Sequence, residues 1–161
     1  MDLIFEEATE QDIPDLTRVM TLAFDDDARK HLGQEKGGPP GYDNGEFFRV
    51  WLLPYKESVG YKILSAGTLI GFVLVWILPQ GENILGTIFV HPDHQDQGVG
   101  SRAWQFVEEH YPETTSWTLH TPGWASKNHH FYEKCGFRKI REEQQPDGMI
   151  LWVYQKVMQA A

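Results

Sequence analysis

The chain has 161 residues and a formal charge of -9, and 41% of it is hydrophobic. That is enough for one compact domain with a real core, which excludes intrinsic disorder, and the negative balance argues against a nucleic-acid binder, which needs a basic face. No apolar run approaches the ~20 residues of a membrane span, and the single cysteine, Cys135, excludes an internal disulfide framework and suits a reducing compartment. Asp2, Glu6 and Glu7 stand where a secretory signal would carry basic residues. The expectation is a cytoplasmic protein, with one domain over residues 1–161 and no nucleic-acid or membrane partner.

Leu3 to Ala8 reads as a first strand. Thr9 follows as an N-cap for a helix from about Glu10 to Phe24, whose Ile13, Leu16, Met20 and Phe24 share one face. Residues 25–45 hold the acidic triplet Asp25-Asp26-Asp27 and a glycine-proline run, Gly37 to Gly41, and predict a loop. Asn44 is a candidate cap for a second helix over 45–53, which Pro54 ends. Val59 to Ser65 and Thr68 to Leu78 form a hairpin around Ala66-Gly67. After a turn come a strand over 84–90, a helix from Val99 to His110 and a strand over 116–121, and the helical crossover makes those two strands parallel. A last helix, with Ser126 as its candidate cap, runs to Cys135, with Gly136 as its C′ glycine. Strands over 137–143 and 149–157 close the chain. The sum is an α+β domain with a mixed, mostly antiparallel sheet of about seven strands and about four helices.

The chemistry concentrates at the junction of strand 84–90 and the helix at Val99, which reads Val90-His-Pro-Asp-His-Gln-Asp-Gln-Gly-Val-Gly100. A strand, a polar loop closed by two glycines and a helix start make an anion site, because the unpaired N–H groups of a first helical turn point outward. Gly98 to Ala103 also fits G-x-G-x-x-A, the dinucleotide fingerprint. That fingerprint wants its first glycine directly after the strand and an acid roughly 20 residues on. Here residues 91–97 intervene, and Leu119 to Thr121 supply no acid. A nucleoside-triphosphate loop is excluded by the absence of Gly-Lys-Ser/Thr.

Read as Gln95-x-x-Gly98-x-Gly100 preceded by Val90-x-Pro92, the stretch resembles motif A of the GNAT superfamily of acyl-CoA-dependent N-acetyltransferases. Asn128-His-His-Phe-Tyr-Glu-Lys-Cys-Gly-Phe137 resembles that superfamily's motif B, and the two stand in the right order. The resemblance implies a single GNAT-like domain in which strands 84–90 and 116–121 splay apart around acetyl-CoA. It assigns backbone groups of Phe89 and Val90 to the pantetheine, and N–H groups of Gln97, Gly98, Val99, Gly100 and Ser101 to the pyrophosphate. Gln95 would add a side-chain contact at the start of the loop. Tyr132 would protonate the leaving thiolate, since a neutral phenol is a donor at pH 7. Asn128 and Phe131 would line the cofactor. Two departures stand out. Ala125 replaces the asparagine that many members carry seven residues before the tyrosine, and Ile84 occupies the place of the glutamate base that some members carry.

For the acceptor, the aromatic and acidic residues Tyr42, Asp43, Glu46, Phe47, Trp51, Trp76 and Trp124 suit an amine bearing an apolar part. Core packing is the leading reading for Phe47 and Trp76 and an equal competitor for Tyr42 and Trp124. His91, His94, His129 and His130 lack acidic or cysteine partners at ligand spacing, so no metal is expected. His120, near the end of the second splayed strand, is a candidate base, and Cys135 is read as packing. The function implied is direct transfer of an acetyl group from acetyl-CoA, with CoA as product, to a small-molecule or peptide amine by a monomer or homodimer. The alternative is a non-catalytic acyl-CoA-binding or sensor module, which the missing glutamate would explain.

Overall fold

The computed structural model of the protein describes residues 2–159. Its strands are β1 (Leu3–Glu7), β2 (Ser58–Ser65), β3 (Thr68–Trp76), β4 (Glu82–Val90), β5 (Ser116–Pro122), β6 (Arg138–Gln144) and β7 (Ile150–Val157). They form one sheet in the order β1-β2-β3-β4-β5-β7-β6, antiparallel except for β4 beside β5. The helices are α1 (Ile13–Leu32), α2 (Glu46–Trp51), α3 (Val99–His110) and α4 (Ser126–Lys134). The expected α+β domain, with seven strands, four helices and one parallel pair, is the fold observed.

Helices cover both faces. On one, Leu16, Val19, Met20 and Ala23 of α1 and Phe47 and Phe48 of α2 bury Phe72, Leu74 and Phe89 of the sheet. On the other, Trp104 and Val107 of α3 and Tyr132 of α4 pack on Val73, Val75, Leu85, Trp117 and Leu119. β3 alternates between the two clusters, Phe72 and Leu74 facing one and Val73 and Val75 the other, as the period of two requires.

The first helix departs from expectation at both ends. A 3-10 turn over Glu10–Asp12, closed by a capping box between Thr9 and Asp12, precedes it. It then runs through the acidic triplet to Leu32 and ends at Gly33, which takes the left-handed conformation at φ 65°. The triplet predicted as loop is helix because tertiary partners outweigh the weak helix preference of aspartate. Asp25 is buried and accepts hydrogen bonds from the Tyr42 hydroxyl (2.6 Å) and the Gly37 N–H (3.2 Å). Asp26 pairs with Lys30 at 2.8 Å. In the last helix Ser126 is the first helical residue, not the cap; Ala125 holds that place and supplies no side-chain cap.

β4 and β5 pair only over Glu82↔Ser116, Asn83↔Trp117 and Ile84↔Thr118. Beyond that point β4 continues against β3 alone, and β5 turns to β7. The parting coincides with a bulge in β4, where Leu85 faces Val75 and Thr87 faces Leu74, leaving Gly86 as the extra residue. The Trp76 ring lies over Gly86, and a Cβ there would come within 2.9 Å of it. From Leu85 to Val90, β4 therefore presents a free edge to a gap inside the sheet.

Candidate active site

A cavity of about 410 Å³ runs along that free edge. Ile88, Phe89 and Val90 form its floor, the turn of α3 at Gly98 to Ser101 closes one end, and Phe131 and Tyr132 of α4 make a wall. Val90, Gln95, Gly98, Val99, Gly100, Ser101, Asn128, Phe131, Tyr132 and Phe89 all line it, so ten of the eleven residues singled out from the sequence converge on one space. Gln97 is the exception: its side chain is exposed and it is not part of the lining.

Backbone direction decides which groups the strand offers. The His91 N–H donates to the Ile70 carbonyl of β3 (2.7 Å), so by strand alternation the backbone groups of Val90 and Ile88 point the other way, into the gap. Phe89 departs from expectation here. Its carbonyl lies against β3, where a Cβ on Gly71 would come within 2.7 Å of it, and its ring is buried with Phe24 and Phe72. Ile88, which the sequence reading passed over, is the residue whose backbone faces the gap in its place. Counting alternate residues back from Val90 would have found it.

The loop turns on two positive-φ residues, Asp96 (59°) and Gly98 (78°). Asp96 pays for a conformation that aspartate tolerates better than most residues. α3 begins directly after Gly98 with no acid in its first turn, so its outward N–H groups face the cavity uncompensated. Gly100 is needed for space: a Cβ there would meet the Phe131 ring at 3.1 Å, and this close approach lets α3 and α4 jointly wall the cavity.

Gln95 has two partners. Its Nε2 donates to the Val90 carbonyl (3.0 Å), and its Oε1 accepts from Lys127 Nζ (3.0 Å), so one side chain ties the end of β4 to the start of α4. Lys127, His94, His130 and Lys134 also line the cavity and bring basic groups to it. Asp27 of α1 opposes them, and burial holds its carboxyl above the usual carboxylate range against the pull of Lys127 and His31. Asp27 was missed because the helix was expected to stop before Asp25.

Tyr132 is buried, and burial pushes its phenol well above the ordinary tyrosine value. It therefore stays a protonated donor throughout the neutral range. Its ring rests against Phe131, Phe137 and Tyr154. Cys135 is half-buried in the same cluster, with its thiol also pushed up by burial, as packing requires.

The acceptor candidates divide. Tyr42 and Phe47 are core residues. Trp76 is half-buried and meets the exposed Trp51 edge to face, ring centres 5.9 Å apart. Trp124 is exposed, as are Asp43 and Glu46, the latter ion-paired with Arg49. Of the histidines, His129 stacks on Trp152 at 4.0 Å and bonds the Pro122 carbonyl, and His91 Nδ1 accepts from the Asp93 N–H. Among the described residues no cluster of three His, Cys, Asp or Glu side chains is placed to hold a metal ion, and no helix is long and apolar enough to cross a membrane.

Known proteins share this fold. A Bacillus subtilis protein described as uncharacterized, YrkN, is 34% identical over 142 residues, covering 86% of this chain and 74% of its own. The ribosomal-protein-S18-alanine N-acetyltransferase of Escherichia coli has the same fold, with a TM-score of 0.79 at 15% identity over 99% of this chain and 96% of its own. An N-acetyltransferase from Thermoplasma acidophilum, solved with coenzyme A, superposes with a TM-score of 0.74 at 15% identity, covering 98% of this chain and 100% of its own. The profile of the acetyltransferase (GNAT) family matches residues 17–137. With both motifs lying on the two sides of a splayed strand pair, the chain belongs to the acetyltransferase (GNAT) family.

Proposed function

We propose that the protein transfers an acetyl group from acetyl-CoA to the amine of a small molecule or peptide. The observation that carries this reading is the cavity along the free edge of β4, which ends on the first turn of α3 and has the Tyr132 phenol in its wall. Three features fit acetyl-CoA. An unpaired strand edge suits the amides of pantetheine, a helix start without acids suits a pyrophosphate, and Gly98 and Gly100 keep side chains out of the way. When bound there, acetyl-CoA supplies an activated acyl thioester.

The chain's own groups would do the rest. Ile88 and Val90 N–H groups hold the chain of the cofactor beside β4 and polarise the acyl carbonyl. Val99, Gly100 and Ser101 N–H groups hold phosphate, with Lys127 and Lys134 adding charge. Asn128 and Phe131 shape the wall, and Gln95 sets the end of the strand. Tyr132 gives its proton to sulfur as the thiolate leaves. The part of the gap under α2, where Trp51 lies against Trp76, is left for the acceptor. The acidic, cysteine-poor composition suits a cytoplasmic setting.

Incubating the protein with acetyl-CoA and a panel comprising spermidine, phenethylamine and an alanine-terminated peptide tests the reading through release of free thiol. Transfer to at least one amine is expected. Tight acetyl-CoA binding with no transfer to any primary amine would favour a binding or sensor module, the reading that Ile84 in place of a glutamate motivates.

A further inference from the structure

The cavity along β4 holds one charge that its proposed ligand does not call for. Its far end has the N–H groups of α3, with Lys127 and Lys134 of α4 on the wall, yet Asp27 of α1 opens into the same space. An ionised acid there repels a pyrophosphate. Asp27 lies one helical turn beyond Ala23 and Phe24, whose ring packs on Phe89 near the end of β4. α1 also packs against the turn Pro92–His94 that follows the strand. Lys30, the next turn along, is within reach of the charges of both Asp27 and Asp96. Lys127, the cation acting most strongly on Asp27, donates to Gln95 at the start of the loop (3.0 Å). Asp27 therefore belongs to the loop end of the cavity, where phosphate would lie.

Asp27 does not hold the fold together. Its two neighbours in the acidic triplet are engaged, Asp25 by Tyr42 and Gly37 and Asp26 by Lys30. Asp27 itself makes no hydrogen bond and no direct ion pair among the described residues. The charges set about it are nonetheless many. α1 brings Asp26, Lys30 and His31. α4 brings Lys127, with His130 and Lys134 on the same wall, and the loop brings His94 and Asp96. β4 and the first turn of α3 bring no charged side chain to the lining. Burial raises the Asp27 carboxyl above its usual range, and Lys127 and His31 offset this only in part.

Resting on the acyl-transfer reading, we propose that Asp27 couples the hold on the cofactor to a proton and speeds the release of CoA: ionised, it repels the phosphates, and protonated, it does not. Phosphate entering the cavity places negative charge beside the carboxylate and favours its protonated form. The complex therefore holds that proton more tightly than the empty site, taking it from solvent on binding and returning it on release. The sign follows by linkage. Affinity is highest at low pH, where Asp27 is protonated in both states, falls as pH rises through the range of the carboxyl, and levels off where Asp27 is ionised in both. On that upper plateau the carboxylate loosens acetyl-CoA and CoA alike. The benefit falls on the product, since a site of backbone N–H groups and lysines that held CoA too tightly would be slow to empty. His94 and His130 also line the cavity, and any proton they take up is common to wild type and to a variant at position 27.

The test compares wild type, Asp27→Asn and Asp27→Glu by titration calorimetry with acetyl-CoA and with CoA, from pH 5 to pH 8. Asp27→Asn should bind both ligands about tenfold more tightly at pH 8, the effect of one carboxylate on a pyrophosphate across a partly screened gap. That advantage should shrink as the pH is lowered toward 5. Asp27→Glu keeps the charge and should follow wild type. Within the range where the advantage shrinks, titrations in buffers of different ionisation enthalpy should count fewer protons taken up by Asp27→Asn than by wild type. Equal affinities of wild type and Asp27→Asn at every pH would overturn the proposal. So would weaker binding by Asp27→Asn, which would mark Asp27 as a favourable contact of the cofactor, and so would a tighter binding that does not vary with pH. Absence of acetyl-CoA binding by wild type across the range strikes instead at the acyl-transfer reading, and takes this role with it.

Discussion

The two sides of the strand gap are built by different means. On the side proposed for the donor, the groups on offer are mostly backbone: the free edge of β4 and the first turn of α3, with Gly98 and Gly100 at its start. On the side proposed for the acceptor they are side chains on separate elements, Trp51 of α2 and Trp76 of β3. A backbone site constrains spacing and glycine placement and leaves most side chains free. A side-chain site constrains individual residues and leaves spacing free. The first kind can be shared across a family that uses one donor; the second can change with each acceptor.

Tyr132→Phe should break the donor side where chemistry meets it. It removes only a hydroxyl from a packed ring, so acetyl-CoA affinity should hold while kcat falls about 100-fold, as steady-state thiol release would register. If kcat is unchanged, Tyr132 is packing alone. Gly100→Val tests whether the glycine serves space. Its branched side chain would drive into the Phe131 ring, costing roughly 1–3 kcal/mol of stability, and acetyl-CoA affinity should fall more than tenfold in a calorimetric titration. A Gly98→Ala variant has room for its Cβ but must hold φ at 78°, so it should lose about 1 kcal/mol through strain with a smaller change in affinity.

The acceptor side's scaffold gives a pH signature. Burial, with Asp25 beside it, pushes the Tyr42 phenol up to about 12. The fold thus binds this proton more tightly than the unfolded chain, whose tyrosines titrate near ~10. Its contribution is complete below pH 10 and is lost as pH rises toward 12. Denaturant melts of Tyr42→Phe should be weaker than wild type by about 1 kcal/mol at pH 7, and the gap should narrow over that alkaline window. A gap that stays constant would mean that the phenol proton is not held by the fold. The smallest effect is expected from Trp51→Ala, whose exposed ring only flanks the gap: KM for phenethylamine should rise a few-fold while acetyl-CoA affinity stays the same.

This contrast also explains what the sequence disclosed. That Gly98, Gly100 and Tyr132 meet at one cavity was legible because their spacing is set by a strand, a turn and two helices. The parallel pair and the seven-strand sheet followed from hydrophobic period and from one helical crossover. The extent of α1 was not legible, because what makes Asp25 helical is a tyrosine hydroxyl and a glycine N–H brought from the loop at 37–42. With that extension went Asp27 of the cavity wall. Phe89 was assigned to the cofactor by its place near the end of the strand; only the direction of the His91 hydrogen bond reveals that Ile88, one residue earlier, faces the gap. The pairing of His120 with Glu143 crosses β7, so no local spacing carries it.

The central claim, that acetyl-CoA lies along the free edge of β4 and ends on α3, is tested most directly by backbone amide NMR during titration with acetyl-CoA. The account predicts large shifts for the amides of Ile88, Val90, Val99, Gly100 and Ser101, and small ones for Trp51, His120 and Glu143. Shifts concentrated on β5, β6 and α2, with the β4 edge and the first turn of α3 unmoved, would contradict it.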